Sequence, residues 1–279
     1  MADTTIIIIL LLTAILHATW NVALKTGTDR VLDMAAIRVS GVLFAAIVIP
    51  LTPMPAAASW PPLIASAIVY MAYYGFLISS YKHGDISQVY PIARGSAPLL
   101  VALAAFVFIN ETPGSIGLAG VIVVSLGIVI AGSGAFQQNM RAVAYALITG
   151  LAIAANSFLG GIGVRDAGTI LGYSAWLELL TCVPFIAFAC VRRRGFVAAY
   201  AANPVARRNV LLGFGSVFSF LIALWAMTHL PIATVAATRE TSAIFAALAG
   251  AVLMKEPFAG RRILAAILVA IGIALLVVG

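Results

Sequence analysis

Five arginine and glutamate side chains stand inside long apolar runs: Arg38, Arg94, Arg239, Glu178 and Glu240. A charge at the centre of such a run costs about 2.5–3.5 kcal/mol or more unless it is paired or wet, so each is a candidate for function. Arg94 and Arg239 lie well inside their runs, roughly 6 Å from the middle of a membrane-spanning helix. Two guanidiniums facing one cavity suit a carboxylate, phosphate or phosphonate, because each presents a planar donor fork. The competing reading has each arginine brace a buried glutamate, with Glu240 adjacent to Arg239 and Glu178 in the middle of another run. Glu178 and Glu240 are also the candidates for proton coupling, or else permanently ionised counter-ions, since burial and a neighbouring arginine pull a carboxyl in opposite directions. Arg38 falls near the end of its run and reads as snorkelling to the surface.

Other polar residues and aromatic ones extend the list. Thr13, His17, Asn21 and Lys25 recur every four residues and share one helical face. Asn21 and Asn156 are candidates for a pair of amide hydrogen-bonders in a cavity, or for glue between helices. His17 is either a titrating group or a simple hydrogen-bonder. Tyr73, Tyr90 and Trp176, nearest the charged positions, either line a cavity or anchor at the interface; Trp20, Tyr70, Tyr74 and Trp225 read as structural. Pro91 removes a helical hydrogen bond three residues before Arg94, giving a hinge or a static bend.

The elements that must position these groups follow from composition. Of 279 residues, 63% are hydrophobic and 9% charged, with mean hydropathy +1.12; ordinary soluble domains have about 45–50% and about 25%. Soluble, disordered, collagen-like and nucleic-acid-binding classes are excluded. Apolar runs without period-two alternation argue against a β-barrel. The expectation is an all-α integral membrane protein with ten transmembrane helices near 4–25, 34–52, 60–80, 87–109, 114–132, 141–160, 170–191, 209–228, 232–254 and 261–278. The start has no basic n-region and reads as the first span. Cys182 and Cys190, roughly 12 Å apart along one helix, are too distant for a disulfide and read as packing residues.

Twelve of the sixteen Lys and Arg residues fall in loops 1–2, 3–4, 5–6, 7–8 and 9–10, against Arg165 alone on the opposite side. The positive-inside rule makes those loops cytoplasmic and both termini external.

The chain also repeats itself. His83-Gly-Asp-Ile86-Ser-Gln-Val89-Tyr-Pro-Ile-Ala-Arg94 aligns with His229-Leu-Pro-Ile232-Ala-Thr-Val235-Ala-Ala-Thr-Arg239 with Pro91 as one insertion, and Glu111 then meets Glu256. This divides the chain at 1–135 and 136–279, five spans each. An odd number of spans inverts one half against the other, as in secondary transporters with a midplane site. Glu111-Thr-Pro113 and Lys255-Glu256-Pro257, with the glycine-bearing spans that follow, resemble the EamA-type members of the drug/metabolite transporter superfamily. His17-Ala-Thr-Trp20-Asn21 resembles a subgroup associated with phosphonate metabolism. The resemblance implies a secondary transporter of a small organic metabolite, an amino acid or another zwitterionic or anionic compound. It further implies export by proton coupling or exchange, with a phosphonate- or phosphate-bearing metabolite as the alternative.

Small-faced spans 5 and 10, with Gly117, Gly120, Gly127 and Gly272, read as scaffold or as a dimer contact. The expected partners are a small-molecule substrate and the lipid bilayer of the cell inner membrane, not nucleic acid, with the chain a monomer or homodimer. Nucleotide-binding loops, nucleophile elbows and metal-ligand spacings are absent from the sequence, so neither an enzyme nor a cofactor or metal is expected. A channel is a further alternative.

Overall fold

A computed structural model describes residues 2–25, 29–83, 86–132, 140–242, 244 and 260–279. Within those ranges, the side chains of 2, 18–25, 30, 74, 77–83, 86–91, 131–132 and 261–263 lie outside the description. The elements are α1 (Ala2–Lys25), α2 (Arg30–Val48), α3 (Trp60–His83), α4 (Ile86–Ile109), α5 (Gly114–Gly132), α6 (Met140–Arg165), α7 (Ile170–Arg192), α8 (Val197–Ala201), α9 (Pro204–Met227), α10 (Ile232–Glu240) and α11 (Gly260–Val278), with no strand among the described residues. Five apolar helical stretches, Val31–Leu51, Ile92–Ile109, Met140–Arg165, Ile170–Arg192 and Pro204–Met227, are each long enough to cross a bilayer. The outward surface is correspondingly greasy, with Leu103, Phe106 and Phe108 more than half exposed. The chain is a multi-pass membrane protein.

Two helices begin earlier than their apolar runs, for reasons of capping. Asp29 accepts the Val31 and Leu32 N–H groups at 3.0 and 3.3 Å, which starts α2 at Arg30. Asn203 accepts the Val205 N–H at 2.9 Å with Pro204 at the first helical position, starting α9 at the edge of the basic loop. The first of these moves Arg38 from the rim of its helix toward the interior.

Helix packing runs in related pairs. α3 packs on α6 and α1 on α9; α4 packs on α6 and α1 on α10; α2 packs on α9 and α3 on α7. α2 with α7, α4 with α10, and α5 with α11 complete the bundle. The α5–α11 contact explains the glycines: a Cβ on Gly120 would stand 2.9 Å from the Gly272 carbonyl oxygen, and one on Gly272 would stand 2.8 Å from the Val124 nitrogen. These glycines join two helices of one chain backbone to backbone.

At one end of the bundle, Glu111 and Arg165 build a joint between three segments. Glu111 Oε2 meets Arg165 Nη1 at 2.6 Å while its Oε1 accepts the Ile232 N–H at 2.7 Å, the first amide of α10. Arg165 Nε and Nη2 donate to the Met227 and Leu230 carbonyls at 2.7 and 3.1 Å, where α9 ends. A carboxylate at a helix N-terminus and a cation at a helix C-terminus both match the helix dipole. Replacing Glu111 with Ala is expected to cost about 1.5–3 kcal/mol, the worth of hydrogen bonds to a charged group, read as a lower detergent unfolding temperature. The motif residue Glu111 thus has a structural task, and the lone basic residue on its side of the chain is its partner.

One expectation changes and one is met only in part. Span 9 was expected over 232–254: α10 covers Ile232–Glu240, the Thr241 N–H turns to the Thr238 carbonyl at 3.3 Å, Ser242 and Ile244 are again helical, and 243 and 245–254 lie outside the described residues. The Thr238 and Thr241 hydroxyls donate to the carbonyls of Thr234 and Thr238 at 2.9 and 2.6 Å, competing with the regular ladder at the break. Cys182 is buried as a packing residue should be, whereas Cys190 is exposed on the outer face of α7.

Candidate functional site

Eight helices enclose a cavity in which the space open to the centres of water-sized spheres is about 80 Å³, several waters' worth by that measure. Its walls carry His17 from α1, Met34 and Arg38 from α2, Tyr70 and Tyr73 from α3 and Arg94 from α4. Across from them stand Asn156 and Ser157 from α6, Glu178 and Thr181 from α7, Ser216 and Phe220 from α9, and Arg239 and Glu240 from α10. Helical periodicity brings them there, as Met34 with Arg38, and Ser216 with Phe220, are four apart, and Tyr70 with Tyr73 three apart.

Of the residues expected from sequence, His17, Tyr73, Arg94, Asn156, Glu178, Arg239 and Glu240 share this cavity. The side chains of Asn21, Tyr90 and Pro91 lie outside those described. Trp176 is a correction: its ring packs edge-on against Trp60 with centroids 5.3 Å apart, and it is not a wall residue. Two residues along a helix is a rotation of about 200°, so Trp176 and Glu178 face opposite sides of α7. Arg38 and Tyr70 are corrections in the other direction. Arg38 is buried, donates from Nη2 to the Tyr70 hydroxyl and sits 5.0 Å from that ring's centroid, so it does not snorkel.

Arg94 and Arg239 are not equivalent. Arg94 Nη1 pairs with Glu240 Oε2 at 2.8 Å, both side chains buried. Glu240 therefore serves the arginine of the other half, not its sequence neighbour. Consecutive residues on a helix point about 100° apart, which leaves Arg239 facing elsewhere. Arg239 lies over the Phe220 ring, 5.1 Å from its centroid, and forms no ion pair among the described residues. His17 lies within electrostatic reach of Arg38, Arg94 and Arg239 together.

Glu178 is held differently from Glu240. The Cys182 thiol donates to its Oε2 at 3.1 Å, and no ion pair to it is present among the described residues. Gly41 on α2 makes the room: a Cβ there would stand 2.5 Å from Glu178 Oε2 and 2.7 Å from Cys182 Sγ. Asn156 accepts from Ser66 Oγ on its Oδ1 at 2.6 Å and lines the cavity from α6. Among the described residues no group of His, Cys, Asp and Glu has the arrangement to hold a metal ion.

A second polar cluster ties the loop after α7 to the foot of α2. Tyr200 and Asn209 both donate to Asp33 Oδ1, at 2.6 and 2.8 Å, and Arg193 Nε lies 3.1 Å from Asp29 Oδ2. Burial, followed by the hydrogen bond to Asp33, raises the Tyr200 phenol above its usual range. A raised folded-state value means that the bond's contribution is complete below the unfolded tyrosine value, near 10, and is lost as pH rises through the folded one. Alkaline spectrophotometric titration should show a late-ionising tyrosine that Tyr200→Phe removes.

The fold and site together define a class, a polytopic helical membrane protein with a charged cavity at its centre. Residues 4–133 match the EamA-like transporter family, of the drug/metabolite transporter superfamily. That family is one of membrane transporters of small molecules. One solved crystal structure aligns over 98% of this chain and 97% of its own, with a TM-score of 0.76 and 16% identity, a likeness of fold alone. No curated protein matches the sequence.

Proposed function

We propose that the chain is a secondary carrier that works by alternating access, moving a small anionic or zwitterionic organic metabolite, an amino acid among the candidates. The observation that carries this is the composition of the cavity wall, with charged residues from residues 1–135 and 136–279 meeting around one space. The paired packing supports reading the two segments as inverted five-helix repeats, because exchanging them turns α3–α6 into α9–α1, α4–α6 into α10–α1, and α2–α9 into α7–α3. A site between such halves is what alternating access requires. The interrupted α10 beside the cavity fits the broken helices that bind substrate in such carriers.

In this reading Arg239 and Asn156 contact substrate, with Arg94 braced by Glu240, while Glu178 carries the coupling proton if transport is proton-driven. The basic loops face the cytoplasm, both termini face outward, and the carrier sits in the cell inner membrane as an exporter. Purified protein in liposomes should show saturable counterflow, in which unlabelled metabolite on one side draws labelled metabolite across. Flux that rises linearly without saturation favours a channel and sinks the proposal. Inorganic phosphate or alkylphosphonate competing better than carboxylates would select the phosphonate- or phosphate-bearing alternative.

A further inference from the structure

We infer that the substrate of this cavity carries a net negative charge of one, and that the matched zwitterion is rejected. The inference rests on the carrier reading above and deepens it. Three guanidiniums, Arg38, Arg94 and Arg239, and two carboxyls, Glu178 and Glu240, face the cavity. The full sequence adds no further intramembrane acid: its other acidic residues, Asp3, Asp29, Asp33, Asp85, Glu111, Asp166 and Glu256, fall at or beyond the ends of the expected spans. Counted over the described lining residues, the cavity is therefore positive by one unit with His17 neutral. Charging His17 or protonating a glutamate only makes it more positive, so the sign survives every protonation state that arginine allows.

The positive charge also has an address. Arg94 is satisfied by Glu240 at 2.8 Å, and Glu178 sits in the notch opened by Gly41 on the helix that carries Arg38. Arg239 is left over the Phe220 ring without an ion pair among the described residues, a flat cation with its donor edge available. A carboxylate on that edge brings the cavity to neutrality, whereas a zwitterion leaves the excess charge in place and adds an ammonium among three arginines. In a low-dielectric interior, uncompensated charge is what costs most. Glu178 sets how much anion is welcome: with it ionised the balance is one, and without it two.

Matched probes on the unaltered protein test this without any variant. Binding by thermal shift and titration is compared for pyruvate against alanine, phenylpyruvate against phenylalanine, and 2-oxoglutarate as a dianion. The 2-oxo acids should bind about tenfold or more tighter than the amino acids of the same skeleton. Arg239→Gln should abolish that advantage and Arg239→Lys keep part of it. Glu178→Gln should raise the affinity for 2-oxoglutarate relative to pyruvate by about tenfold. Amino acids binding as well as the matched oxo acids, with saturable counterflow of either, would overturn the inference and leave the carrier standing. Folded protein showing counterflow of none of these probes, and none with phosphate or alkylphosphonate, would overturn the carrier reading itself. An unchanged mono- to dianion ratio in Glu178→Gln would remove Glu178 from the charge balance.

Discussion

Arg94→Ala should unfold in detergent at a much lower temperature than the parent protein, with a loss of about 3–5 kcal/mol, because it strands Glu240 as a lone buried charge. The double replacement Arg94→Leu with Glu240→Leu should recover most of that loss, since apolar residues of similar size replace a buried ion pair at little cost. Size-exclusion profiles after a heat ramp would read both. Transport separates two roles that stability cannot. If the pair only braces α4 against α10, the double variant carries substrate normally; if the cavity's charge arrangement matters, it is folded and inactive. The second outcome is expected: the net charge of the described lining is unchanged by the double replacement, but two polar groups are lost from the wall that also holds Arg239.

Gly213→Ala is expected to be the most damaging single methyl group. A Cβ at that position falls far inside contact distance of the Ile37 carbonyl oxygen and of the Ser40 hydroxyl, where α9 crosses α2. Backbone cannot yield as a flexible side chain does, so the helices must separate, at a cost of about 1–3 kcal/mol or more. The displaced helix is the one that carries Met34 and Arg38. The variant should therefore lose substrate affinity as well as thermal stability. Normal affinity in a merely less stable protein would show that the α2–α9 crossing does not set the position of Arg38.

The membrane class and the positions of most helices were legible because lipid demands long apolar runs, and nine of the ten expected spans coincide with long helices among the described residues. Seven of the expected site residues line one cavity, because an ionisable or amide group among apolar runs has few other places to go. What the sequence hid was rotation and capping. Trp176 and Glu178 share a depth but not a face. Arg38 looked terminal because Asp29, a polar residue outside the apolar run, extends α2 by a turn. The partner of Glu240 was hidden for a third reason, since sequence adjacency to Arg239 suggested a pair that helical geometry forbids.

The Arg94–Glu240 bond joins residues 146 positions apart. At a synthesis rate of about 5–20 residues per second, Arg94 leaves the ribosome roughly 7–30 s before its counter-charge exists. For that interval the nascent first half must hold this guanidinium without the carboxylate it meets in the folded chain. The segment matched as a family unit is thus energetically incomplete while it is being made. Its assembly waits on the chain's last quarter, and the order of translation becomes part of how this protein folds.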